Sequence, residues 1–98
     1  VVANANANER TGIQLTGAEF LSACSRPDPE WIGFCHGYVQ AVIDGMRRPG
    51  EDFCPPAGTT RATIVDAVVR QLTATPDIQR LNAASIVYAV ILKTYHCE

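Results

Sequence analysis

The side chains with the widest chemical reach in this sequence are four cysteines, Cys24, Cys35, Cys54 and Cys97, and two histidines, His36 and His96, each adjoining a cysteine. An imidazole beside a thiol can draw off its proton and leave a nucleophilic thiolate. The same residue types are zinc ligands. Spacing argues against both uses. The stretch "FCHGYVQAVIDG", Phe34 to Gly45, reads as helix, and neighbouring helical positions point about 100° apart, so Cys35 and His36 do not converge on one atom. Zinc sites draw ligand pairs from C-x₂₋₄-C or H-x₃₋₅-H runs, and the chain contains neither. Paired catalytic carboxylates, a phosphate loop and a G-x-S-x-G elbow are also missing from the sequence. The expectation is a protein that is not an enzyme, with no catalytic residue, no metal and no cofactor. His36 then reads as a solvated rim residue, and His96 as a residue favoured by the negative end of a helix.

What remains for the cysteines is cross-linking. With 98 residues, 47% of them hydrophobic, the chain can build one compact domain of modest core, the size at which disulfides commonly supplement apolar burial. Four cysteines allow three pairings. If two helices form a hairpin about Ser25–Asp28, Cys24 and Cys35 lie near the same end, which leaves Cys54 for Cys97. A plain up-down-up-down bundle brings that second pair together without any crossover, and on that ground it is preferred. The competing arrangement sends the long central loop back beside the second helix and pairs Cys35 with Cys54 and Cys24 with Cys97. A bridge needs Cα atoms within about 7 Å, a spacing that counting residues does not supply.

The elements that must position these residues are helices, and the class is all-α, a small disulfide-stapled bundle of about four main helices. Thr16-Gly17-Ala18-Glu19 is a capping box, with Leu15 and Phe20 placed as a hydrophobic staple, and its helix ends near Cys24. Pro27 and Pro29 break the chain, and Asp28-Pro29 is a cap followed by a first-turn proline. The second helix runs to about Arg47, with Trp31, Cys35, Tyr38, Val39, Val42 and Met46 on one face. Gly37 in its interior is expected to let another helix approach closely, and Trp31, Tyr38 and Tyr88 to serve as core residues in preference to interface anchors. Pro49–Thr60 is a proline-rich loop, long for a helix connection. Thr59 or Thr60 caps a third helix with Ile64, Val65, Val68 and Leu72 buried and Arg61, Asp66 and Arg70 facing water. A short turn after Thr75-Pro76 leads to Asn82, the cap of a last helix ending around Lys93–Tyr95. Its β-branched core, Ile86, Val87, Val90 and Ile91, also suits a buried strand, but Ala83, Ala84 and Ala89 and the lack of a hairpin signal favour helix.

Charge and hydropathy exclude further classes. Eight Lys/Arg against ten Asp/Glu give a net charge of −2 with no basic stripe, so nucleic acid is not an expected partner. The longest apolar run, Ala84–Leu92, falls far short of the roughly 20 residues that span a bilayer. Residues 1–12, opening "VVANANANER", show no helical or strand period. Their A-N-A steps are similar to the small-x-small end of a signal peptide, so they read as a disordered leader or signal-peptide remnant before a single helical domain of residues 13–98.

Taken in order, Cys24, "FCHGYVQAVIDG", "FCPPAGTT" opening a helix, and "AAS" leading an apolar helix that ends in "YHC" resemble the Rap/Tai family of type VI secretion immunity proteins. The likeness extends from about Gly17 to Cys97. Members end in an aromatic-proline-cysteine sequence, and here His96 stands at the proline's place. The resemblance implies a periplasmic helical protein, exported by a cleaved signal peptide and homodimeric. Its implied partner is a secreted peptidoglycan hydrolase, an amidase whose cleft it occludes. Contact residues do not transfer by motif, because immunity surfaces vary with the effector. A pre-ordered protrusion loses least entropy on binding, and two are available, Arg47–Pro56 and Thr75–Arg80. The first is the expected partner-binding segment, through Arg47, Arg48, Glu51, Asp52 and Phe53. Two rival readings are a small periplasmic acid-stress chaperone, disfavoured by ten acids with little clustering, and an envelope protein with another partner.

Overall fold

A computed structural model describes residues 13–46 and 53–97. Four α-helices follow in order: α1 (Gly17–Cys24), α2 (Pro29–Asp44), α3 (Arg61–Ala74) and α4 (Ala83–Tyr95), with a 3₁₀ helix at Pro76–Arg80 between the last two. Each starts where side-chain chemistry permits it. Thr16 accepts the Glu19 N–H while the Glu19 carboxylate accepts the Thr16 N–H, the reciprocal box that satisfies two otherwise orphaned donors. Thr60 and Asn82 accept the N–H groups of Thr63 and Ser85 in the same manner. Asp28 departs from expectation. It occupies the cap position of α2, but its carboxylate pairs with Arg26 at 3.2 Å and makes no bond to the helix backbone.

The second helix stops at Asp44, short of the expected Arg47. The Gly45 N–H closes on the Ala41 and Val42 carbonyls, and the chain then turns Met46 into the core, 6% exposed. At the centre of the molecule lie Phe20, Val39, Val68, Leu72, Val87 and Ile91, all fully buried, with one or more from every helix. Each helix packs against the other three. The β-branched run of α4 is helical because it faces this shared core and not a neighbouring strand.

The close approach expected at Gly37 occurs elsewhere. A Cβ on Gly37 would meet nothing within 4 Å, since the residue faces outward on α2. A Cβ on Gly17 would instead lie 2.7 Å from Ile86 Cδ1 and 2.9 Å from Leu72 Cδ2. At that point the Gly17 N–H donates to the Leu81 carbonyl and the Ala83 N–H to the Leu15 carbonyl, so the chain segments entering α1 and α4 run side by side.

That pairing corrects the plain alternating bundle, which would put the starts of α1 and α4 at opposite ends. The last turn of α2, with Ala41, Val42 and Gly45, lies against Ala84, Ser85 and Tyr88 in the first turns of α4. Cys54, however, donates its N–H to the Tyr95 carbonyl at the far end of α4. The central connection therefore travels back along α4 before α3 begins, and Arg61 at the start of α3 reaches His36 and Gln40 in mid-α2. A crossover is present after all. Even so, Cys24 joins Cys35 and Cys54 joins Cys97, with Cα separations of 5.3 and 5.0 Å.

Candidate partner-binding surface

The cysteine-histidine pair that opened the question is divided between two structural tasks. Cys35 is 2% exposed and bonded to Cys24, so its thiol is spent on the α1–α2 staple. His36 points elsewhere: its Nδ1 accepts the Arg61 Nε–H at 3.2 Å. Arg61 also donates to Gln40 Oε1 at 3.1 Å, and the Gln40 amide donates to Asp44 Oδ1 at 2.9 Å. The four side chains tie the start of α3 to the outer face of α2.

Of the expected binding residues, Arg47, Arg48, Glu51 and Asp52 lie outside the described residues. Phe53 is half-buried against the core and forms a short bridge with His96. Both borders of this segment are fastened. Met46 leads into it from the core, and on the other side Cys54 is held by the Tyr95 carbonyl at 2.6 Å and by the bond to Cys97. Beyond Cys54, Gly58 with φ of 90° turns the chain towards α3, a conformation that costs a glycine little. The second candidate protrusion, Thr75–Arg80, is instead folded in as the 3₁₀ helix. Its Gln79 side chain donates to the Leu72 carbonyl at 2.9 Å, and Ile78 packs on the core.

A surface that the sequence reading did not single out lies on the α1–α2 hairpin. Leu15, Glu19, Ser22, Ala23, Arg26, Trp31 and Phe34 enclose a groove of about 450 Å³. Arg26 sits 5.0 Å above the Trp31 ring, a cation–π distance, and Trp31, Phe34, Tyr38 and Phe20 form a ladder with centroids 5.3–5.9 Å apart. The ladder runs from the fully buried Phe20 to the rim, where Phe34 is 39% exposed and its neighbour Ile32 47%. Trp31 and Tyr38 are thus half-buried where core positions were expected, as is Tyr88. The signal in the sequence is that Ile32 and Phe34 are large apolar residues lying off the Trp31-Cys35-Tyr38-Val39 stripe. Burial pushes the Tyr38 phenol above its usual range, and a hydrogen bond with the Ala84 backbone opposes part of that rise.

Among the described residues, no three His, Cys, Asp or Glu side chains cluster as a metal site would need. No described helix is long and apolar enough to cross a membrane. What the geometry offers is a surface for recognition: a segment fastened at both borders, and an aromatic rim of the residue types that anchor protein interfaces.

Searches of curated proteins and of solved structures returned no match. A family model described as Rap1a immunity proteins matches residues 16–97, a span that holds both disulfides and all four helices. With most of its length matched, the chain belongs to the Rap1a immunity protein family.

Proposed function

We propose that this member of the immunity family is a periplasmic, homodimeric protein that binds a type VI secretion effector, a peptidoglycan-cleaving amidase, and occludes its active-site cleft. The observation that carries the reading is the family match over residues 16–97. Two disulfides support the compartment, because such bonds persist in oxidising spaces and are rare in the cytosol. Residues 13–98 act as one helical domain, delivered to that compartment by a signal peptide that is removed. Inhibition here is steric and needs no chemistry from the inhibitor.

The contact segment is Arg47–Phe53. Its fastened borders favour it, since anchoring both ends of a loop lowers the ordering entropy lost on binding. Arg47 and Arg48 offer cations for carboxylates at the cleft margin, Glu51 and Asp52 offer acceptors, and Phe53 ties them to the core.

The test is to co-purify the oxidised chain with a candidate secreted amidase and to measure cleavage of cell-wall peptides. A saturable complex that abolishes hydrolysis is expected. Reversing both arginines, Arg47→Glu with Arg48→Glu, should weaken the complex about tenfold or more while leaving the fold intact. If the chain leaves the amidase fully active and instead protects unrelated proteins in strong acid, it is a chaperone and the reading fails.

A further inference from the structure

Every residue from Cys54 to Gly58 is exposed, yet the stretch is fastened at both ends and stiff between them. At its start the Cys54 N–H meets the Tyr95 carbonyl and the sulfur is bonded to Cys97. At its end the Thr59 N–H and hydroxyl both donate to the Pro56 carbonyl, at 3.1 and 2.7 Å, closing a β-turn whose third residue is Gly58 at φ 90°. Pro55 and Pro56 fix their own φ. None of these side chains joins the core. The hydrogen-bonding groups left over are unequal. Proline has no N–H, and those of Cys54 and Thr59 are taken, so donors remain only at Ala57 and Gly58. Among the described residues nothing donates to the carbonyls of Cys54, Pro55, Ala57 and Gly58.

Entropy and chemistry together suit this turn to one kind of cleft. Proline, alanine and glycine lose no rotamer freedom on burial, and the backbone here is already ordered, so holding it against a partner costs little. No side chain from Cys54 to Gly58 is bulkier than a proline ring, so what the turn offers a partner is main chain. An enzyme that cleaves peptides has a cleft for a main chain, with donors placed for its carbonyls and for the oxyanion that forms from one of them. Free carbonyls on a slender turn match such a cleft.

We infer that the Cys54–Thr59 turn enters the amidase cleft as a stand-in for the substrate's main chain, its free carbonyls taking donors that otherwise hold the cell-wall peptide. This rests on the amidase reading above and adds to it: Arg47–Phe53 grips the cleft margin, and the turn fills the place of the substrate. Inhibition is then competitive.

The experiment follows cleavage of a synthetic cell-wall peptide by a panel of secreted peptidoglycan amidases over a range of oxidised inhibitor concentrations. For the amidase that is inhibited, KM should rise while kcat stays unchanged. Ala57→Trp adds bulk to the turn at an exposed position and should weaken inhibition about thirtyfold or more, the size of a hot-spot loss, whereas Ala57→Ser should stay near the parent. Circular dichroism and the urea midpoint should match the parent in both variants, and Ala57→Leu serves if tryptophan disturbs folding. Undiminished inhibition by the enlarged variants, or a fall in kcat with KM unmoved, would overturn this inference while the amidase reading stands. A parent chain that leaves every amidase of the panel unbound and active overturns both.

Discussion

Two glycines show how much a single position depends on what surrounds it. Gly17 opens α1 with Ile86 and Leu72 already where its Cβ would go, whereas Gly37 lies mid-helix beside open space. Gly17→Ala should therefore destabilise the oxidised protein by about 1–3 kcal/mol, the usual cost of overpacking, since one methyl group must displace two core side chains. Gly37→Ala should stabilise by up to about 1 kcal/mol, because it adds helix propensity and meets no obstacle. Urea unfolding midpoints of the two variants should move in opposite directions. Tyr38 supplies a pH-dependent counterpart. Its phenol titrates higher in the folded chain than in the unfolded one, so the folded state holds the proton more tightly. The sign follows: the stabilisation is fully present below the ordinary tyrosine value of about 10 and is lost as pH rises through the elevated one. Alkaline unfolding should be shallower in Tyr38→Phe, measured as the slope of stability against pH above that value.

At the scale of elements, caps decide where helices begin, and here two adjacent threonines compete. Thr60 accepts the Thr63 N–H, while the Thr59 hydroxyl donates to the Pro56 carbonyl in the preceding turn. Thr60→Ala should cost about 1 kcal/mol, a typical loss for an N-cap, and Thr59→Ala less. Chemical denaturation of the pair separates them. Sequence left that choice open because either hydroxyl has the right chemistry and only backbone geometry distinguishes them. The starts of the four helices were legible, although the end of α2 at Asp44 was not. The capping box at Thr16–Glu19, the prolines around Asp28 and the stripe Ile64-Val65-Val68-Leu72 are local features, and local rules govern them. Long-range matters were not legible from spacing. Gly37 looked like the packing glycine because it sits in an apolar run, yet packing at Gly17 is set by Ile86 and Leu72, more than fifty residues away. The aromatic rim of Trp31 and Phe34 was missed for the same reason, since which flank of α2 stays uncovered depends on where α1 and α4 lie.

The molecule as a whole is held by two bridges that close loops of very different size. Cys24 and Cys35 are 11 residues apart and Cys54 and Cys97 are 43 apart. The crossover explains why the wider pair meets: the returning connection delivers Cys54 to the end of α4, where the Tyr95 carbonyl already holds its N–H. On loop-closure entropy, removing the first bridge as a Cys→Ala pair should cost about 3 kcal/mol and removing the second about 4 kcal/mol. Their accessibility runs the same way. Cys54 is exposed, whereas Cys35 is buried in the core, so mild reductant should open the Cys54–Cys97 bridge first. Timed alkylation followed by peptide mass analysis would show that order, and simultaneous labelling of all four cysteines would refute it. The functional consequence is also unequal. The wider bridge fastens the border of Arg47–Phe53 to α4, whereas the narrower one lies between α1 and α2. If that segment carries effector contact, Cys54→Ala with Cys97→Ala should weaken the amidase complex at temperatures where the variant remains folded, and Cys24→Ala with Cys35→Ala should leave affinity near that of the parent. Equal loss in both would place the contact surface elsewhere, with the Trp31–Phe34 rim the first place to look.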